Sequence, residues 1–528
     1  MRVMFIVNDL GVNEPFGPMI LSAILQRRGH ETTLGVIKKE DVTEKILSWK
    51  PDILAYSMMS VDMEDMKKFN DSLREKIKVF TLLGGPHATL DRGCINDPYI
   101  DAICIGEGDG AIVDVVTRLE EGRGLEGIPN IIISAEQELE IRDLMDDFDS
   151  MPFMDRKLVY AYPEMARFGI KGIWTSRGCV FPCPYCFNNR YNDLYKKKGK
   201  VVRRRSVDSV IRETKELIAN HRVEFIRIQD DVFVHKVDDW LKEFAERWSS
   251  EIGVPFYCLL RSELITDEMA YYLKKAGCFS ICMSIESAND DVRNLMLRRK
   301  MSKEKLANAF NILKKNKINI YANTMLALPF TSLEHDIASV DFAVKVQPDM
   351  PNFSIFMPYP GTDLGDYCKK VGIYNPEKDT INYGMRNISP LTCFSESEKN
   401  AQYNLCQLAI VAVKFPKLRN LIVNRLIYRK PNKIFFFIHY IFAVTTYGRK
   451  IFYFKHTIGE YFELITRTLK HYFYDFLKKD TGNMKNSKKE RIAEDERNKA
   501  GRKNRIEELE KCMEAMATST NYNSRKGL

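Results

Sequence analysis

Short apolar runs alternate with helical patterns twice along this chain, and the alternation restricts the fold more than any other feature. Between residues 1 and about 135, "RVMFIVN", "ETTLGVI", "DILAYSM" and "VFTLLGG" read as buried strands, with "GPMILSAILQRRG", "EDVTEKILSWK" and "VDMEDMKKFNDSLREK" as the helices between them. Two further strands, "DAICIG" and "NIIIS", flank the helix "AIVDVVTRLEEG". This pattern predicts an α/β doubly wound domain, which binds ligands at the carboxyl ends of its strands. Those ends carry Asn8 and Asp9, Ser57 and Ser60, the turn Gly84-Gly85-Pro86-His87, and Gly106-Glu107.

Residues 136–170 are acidic and Pro-punctuated and read as a linker. A second alternating series follows, with strands "GIWTSRG", "EFIRIQDDVF", "VPFYCLLR", "FSICMSIES", "NIYANTMLAL" and "FSIFMPY" separated by helices. Six strand-helix units over 171–394 predict a partial (β/α)6 barrel of the TIM type, with its chemistry at the carboxyl ends of the strands. From about 395 the pattern is helical to 480, and 481–528 reads as a charged, partly disordered tail around a solvated helix.

No apolar run reaches the roughly 18 to 20 residues of a membrane span, and "MRVMFIVNDLGVNEP" lacks the features of a signal peptide. The expected location is cytoplasmic, and the 12 cysteines are expected to be reduced. Clustered thiols then point to metal or redox chemistry rather than to disulfides.

Three cysteines, Cys179, Cys183 and Cys186, lie in the thirteen residues "SRGCVFPCPYCFN", directly after the first strand of the second series. A structural zinc site closes with four ligands, and no fourth Cys or His stands nearby, the nearest His being His221. A chance trio, a zinc site completed from elsewhere and an iron-sulfur cluster with one open iron are the available readings.

The spacing Cys179-x3-Cys183-x2-Cys186, with Tyr185 before the last cysteine, resembles the signature of the radical S-adenosylmethionine superfamily. The resemblance implies a 4Fe-4S cluster on these cysteines, with S-adenosylmethionine bound at the open iron and cleaved to a radical that abstracts hydrogen from substrate. It also implies a low-potential reductant such as a flavodoxin or ferredoxin. By the same resemblance Gln229, Asp230 and Asp231 after the second strand, Arg261 after the third, and Ser284 and Glu286 at the end of the fourth are expected contacts of S-adenosylmethionine; the alternative is that they cap strands and helices. "MLALPFTSLE" departs from the family's Gly-rich turn, with Ala327 in place of the glycine, whereas "PYPGT" closes the sixth strand as in the cobalamin-binding branch.

That branch places a cobalamin domain ahead of the barrel, and the order here is the same. Ser57, Gly84, Gly85, Pro86, His87, Gly106 and Glu107, in "SMMS", "GGPH" and "GEGDG", stand where the family's loops meet the corrin. The stretch corresponding to a D-x-H-x-x-G motif reads Asp9 to Glu14 without a His, so no protein His ligand to cobalt is expected; His30 and His87 read as structural. The function implied is methylation of an unactivated carbon or phosphorus centre in a small molecule or lipid. A radical cyclase, oxidase or rearrangement enzyme with cobalamin as redox partner, and a non-catalytic corrinoid or iron-sulfur carrier, are the alternatives.

The net charge of +9 is carried by one segment: 411–479 holds 14 Lys and Arg against 3 Asp and Glu, together with 17 of the 54 Phe and Tyr. It reads as a helical cap over the barrel, as a peripheral membrane contact, or, without any recognised module to accompany it, as a nucleic-acid surface.

Overall fold

The computed structural model describes residues 1–11, 14–74, 76–376, 388–453, 459, 466 and 504–518. The chain divides into two compact units. The first comprises Met1–Val223 with Gln229–Asp231 and Tyr359–Asp363; the second comprises Glu224–Ile228, Val232–Pro358 and Leu364–Leu528.

In the first unit the strands β1 (Arg2–Val7), β2 (Glu31–Val36), β3 (Ile53–Ser57), β4 (Phe80–Gly84), β5 (Ala102–Cys104) and β6 (Ile131–Ile132) form one sheet in the order β2-β1-β3-β4-β5-β6. The first five are parallel, because each pair is joined by a crossover, whereas β6 runs antiparallel to β5. The strand order reverses between β1 and β3, and a doubly wound sheet opens its ligand crevice at such a point. Met4, Ile6, Leu54, Tyr56, Leu83 and Ile103 are buried in its core, and Asp41 caps the helix Val42–Trp49 by accepting from Glu44 N at 3.0 Å.

The 136–170 segment is more than a linker. Short helices at Arg156–Tyr160 and Pro163–Arg167 bury Leu158, Val159, Tyr160 and Met165. Tyr160 donates to the buried Glu14, and Arg156 lies 3.6 Å from Glu14 and 3.2 Å from Glu213. The apolar residues between its acidic ones are too few for a sequence period to show, yet enough to bury this stretch. Strand β7 (Ile170–Ile173) follows, then the two-residue strands β8 (Ser176–Arg177) and β9 (Arg203–Arg204), an antiparallel pair enclosing the cysteine loop.

In the second unit β10 (Phe225–Ile228), β11 (Phe256–Leu259), β12 (Cys278–Glu286), β13 (Asn319–Leu326) and β14 (Met350–Ile355) pair in parallel in chain order. The helices between them start at side-chain caps: Thr266 accepts from Met269 N at 3.1 Å and Ser302 from Lys305 N at 3.2 Å. Helices Glu396–Lys414 and Lys433–Thr446 follow. The tail expected around a solvated helix contains residues 504–518, a helix that buries Leu509, Cys512 and Met516, spaced to share one face. The remainder of the tail lies outside the described residues, as does most of 454–479.

Candidate functional site

A cavity of about 390 Å³ opens in the first unit at the reversal of strand order. Phe5, Ser57, Gly84 and Gly85 line it from the carboxyl halves of β1, β3 and β4, with Gly106, Glu107 and Asp109 from the loop after β5. Trp174, Arg177, Gly178, Phe187, Asn188 and Gln229 come from the stretch around the cysteines and from the residues after β10. Six of the lining residues are glycines. Gly85 has φ of 96°, and a Cβ there would stand 2.9 Å from the Met58 carbonyl oxygen, so glycine is required on two counts. Side-chain-free backbone of this kind admits a large flat ligand.

The cysteine loop is held from both ends by adjacent carboxylates. Asp230 is buried and faces the start of the loop: it accepts from Thr175 N at 2.7 Å, from the Thr175 hydroxyl, and from Ser176 Oγ at 2.8 Å. Burial pushes its carboxyl up to about 6 against the opposing pull of those hydrogen bonds. Asp231, one residue on, accepts from Gly178 N at 3.2 Å and from Asn188 Nδ2 at 2.7 Å, and so joins the residue before Cys179 to the second residue after Cys186. Inside the loop Cys186 N donates to Cys183 O at 3.1 Å, and Asn192 Nδ2 to Cys179 O at 2.7 Å. Gly178, at φ of 93°, passes the Val201 carbonyl so closely that a Cβ would overlap it.

Cys179 and Cys183 are buried, and Cys186 is half-buried. Burial, and then the neighbouring Cys183, holds the Cys186 thiol well above its ordinary range. Thiolates at these positions would therefore need cations against them. Among the described residues no three His, Cys, Asp or Glu side chains converge as ligands of a single ion.

The sequence expectations divide on this geometry. Ser57, Gly84, Gly85, Pro86, Gly106, Glu107, Gln229 and Asp231 line one cavity. His87 instead shares a hydrogen bond of 3.0 Å with Ser60 Oγ, and burial lowers its pKa. The Glu107 carboxylate is engaged by Arg203, whose two nitrogens donate at 2.6 and 3.0 Å, while Tyr195 Oη accepts from Glu107 N at 2.7 Å. Burial alone would raise the Glu107 carboxyl, but Arg203 and Arg177 outweigh it and hold the group below its usual value. In the second unit Arg261 and Glu286 are both buried, Arg261 beside Glu263 and Glu286 at 3.4 Å from Arg299; Glu286 has φ of 58°, and Ser284 is half-buried.

Sequence reasoning missed Arg177 and Asp109. Arg177 stands two residues before Cys179 and forks onto Asp109 at 2.7 and 3.1 Å, with its guanidinium 5.3 Å from the Phe148 ring and 4.9 Å from the Trp174 ring. It thereby ties the "SRGC" motif to "GEGDG". The opposite charges in two glycine-flanked motifs were the available signal.

Family models of the B12 binding domain and the radical SAM superfamily match residues 4–116 and 174–343, between them more than half of the chain. An uncharacterised methyltransferase of Pyrococcus horikoshii is 26% identical over 62% of this chain and 72% of its own length. The anaerobic magnesium-protoporphyrin IX monomethyl ester cyclase of Rubrivivax gelatinosus is 25% identical over 65% of this chain and 63% of its own. Among solved structures, the radical S-adenosylmethionine methyltransferase TsrM of Kitasatospora setae, with tryptophan and an S-adenosylmethionine analogue bound, aligns over 89% of this chain and 99% of its own, at 15% identity and a TM-score of 0.63, and shares its fold.

Proposed function

We propose that this chain, which belongs to the cobalamin-dependent radical S-adenosylmethionine enzymes, methylates an unactivated carbon or phosphorus centre of a small-molecule or lipid substrate. One observation carries the reading: a single cavity is walled both by the glycine turns of the B12 binding domain and by the residues that flank the three cysteines. Group transfer needs donor and acceptor in one chamber, and these two sets of residues share one. In this reading Cys179, Cys183 and Cys186 hold the 4Fe-4S cluster, Gln229 and Asp231 face S-adenosylmethionine, and Ser57, Gly84, Gly85 and Gly106 face cobalamin. When bound, the cluster supplies the electron that cleaves S-adenosylmethionine, and cobalamin carries the methyl group. Asp230 and Asp231 keep the loop in register, and Trp174, Phe187 and the apolar wall of Phe16, Ile20 and Leu21 limit access of water.

Residues 1–135 form the cobalamin domain in this proposal and 171–394 the barrel. Arg261, Ser284 and Glu286 are its remaining contacts for S-adenosylmethionine. The reaction needs a reductant and a substrate; a flavodoxin or ferredoxin serves as the reductant, and the 411–479 segment makes a peripheral membrane contact.

Anaerobic incubation of the reduced enzyme with methyl-labelled S-adenosylmethionine and cell extract tests the reaction. Label recovered in a product supports methylation. Formation of 5′-deoxyadenosine without any labelled product would replace it with the second reading, a radical cyclisation or oxidation, which the similarity to a cyclase favours.

A further inference from the structure

Helix Lys433–Thr446, "KIFFFIHYIFAVTT", is apolar around most of its circumference. One side, with Phe435, His439, Tyr440, Ala443 and Thr446, is buried in the second unit. The opposite side presents Ile434, 67% exposed, Ile441, 58% exposed, and Phe437, all within one narrow arc of a 3.6-residue period. Phe415 packs edge-on against Phe442 of this helix at 5.7 Å and is itself exposed, as are Leu418 and Leu421 farther along the preceding turns. A helix that is hydrophobic all round is ordinarily covered on every side, and contiguous exposed apolar surface marks an interaction site.

Charge selects the occupant. Between Val411 and Tyr453 the chain has nine Lys and Arg and no Asp or Glu. Lys417, Arg425, Lys430 and Arg449, within this stretch, are exposed. Arg419 and Lys450 pair with Asp341 and Asp349, but the stretch has no carboxylate of its own, and apolar side chains on a cationic stretch of this kind match an anionic lipid surface. No helix among the described residues is long and apolar enough to cross a membrane.

We infer that the face formed by Ile434, Phe437 and Ile441, with Phe415, Leu418 and Leu421 beside it, seats this protein on anionic membrane. The assignment rests on the membrane contact named above but is independent of the methyl-transfer reading.

The test is flotation of the full-length, anaerobically purified protein with vesicles of equimolar phosphatidylglycerol and phosphatidylcholine, and with phosphatidylcholine alone. The protein is expected to float with the anionic vesicles at low salt, and less at high salt as screening weakens the cations. The double variant Ile434→Asp/Ile441→Asp is expected to lose partitioning by about tenfold or more. Lys417→Glu/Lys430→Glu, which leaves the apolar face intact, is expected to weaken binding to anionic vesicles alone. Cys183→Ala is expected to float as the wild type does, which separates this inference from the catalytic one. A protein that stays at the bottom with anionic vesicles overturns it. So does a wild-type dimer that the Ile434→Asp/Ile441→Asp variant converts to monomer, since a second copy would then cover the face, or flotation with anionic vesicles that nuclease treatment abolishes.

Discussion

Two neighbouring carboxylates after β10 have separate tasks because successive side chains leave an extended backbone on opposite sides. Asp230 faces inward to Thr175 and Ser176, and Asp231 spans Gly178 and Asn188. Hydrogen bonds to a charged acceptor contribute roughly 1.5–3 kcal/mol each, and both held by Asp231 act on the segment that carries the cysteines. Asp231→Ala is therefore expected to lower cluster occupancy severalfold after anaerobic reconstitution, read by iron and sulfide content and by visible absorption. Unchanged occupancy would remove the clamp from the account. Cys183→Ala is expected to abolish cluster assembly while leaving cobalamin retention, read in the corrin absorption bands, close to that of the wild type. The identities of these groups were legible as "QDD" and a cysteine trio, but which aspartate meets which loop was not, since 53 residues separate Asp231 from Gly178.

Helix termini and strand ends carry the second scale. In the turn after β13 the non-glycine Ala327 takes a φ of 55°. The buried Asp336 stabilises that backbone by accepting from Ala327 N at 3.0 Å, while its other oxygen accepts from Gln402 Nε2 at 3.0 Å. Burial pushes the Asp336 carboxyl up to about 8, against the pull of these hydrogen bonds. With the folded pKa above the unfolded one, the native state holds the proton between about pH 4 and 8 while the unfolded chain releases it. Stability from this group is full below that window and is lost as pH rises through it. Asp336→Asn mimics the protonated form, so the melting temperature of the wild type relative to this variant should fall as pH climbs from 5 to 8. A difference that stays constant with pH would contradict the assignment. Element boundaries were legible where periodicity is long, as in β12 and β13; the two-residue strands β8 and β9 are too short to carry a period, and the strand read from "NIIIS" gave no sign that β6 runs antiparallel.

For the whole molecule, a tail that reads as solvated supplies part of the core of the second unit. Arg505 forks onto Glu398 at 2.8 Å on each oxygen, Arg298 donates to Met516 O at 2.6 Å, and Leu509, Cys512 and Met516 are buried. Deleting residues 504–528 removes these contacts, a loss on the order of 5 kcal/mol from apolar burial and the ion pair. The second unit's melting midpoint should drop by on the order of 10 °C while the absorption of a cluster held by Cys179, Cys183 and Cys186 persists, since those cysteines belong to the first unit. An unchanged midpoint would show that the helix adds nothing.

By itself the sequence determined the two alternating series, the thiol spacing and the glycine turns, because apolar periodicity and backbone freedom are properties of a few consecutive residues. Tertiary structure alone decided that Arg177 meets Asp109, that Glu107 is committed to Arg203, that 136–170 and 504–518 bury apolar faces, and that Ile434 and Ile441 face outward. Those outcomes depend on packing between segments tens to hundreds of residues apart, and no local pattern records which of several equally suitable charged or apolar partners a side chain will meet.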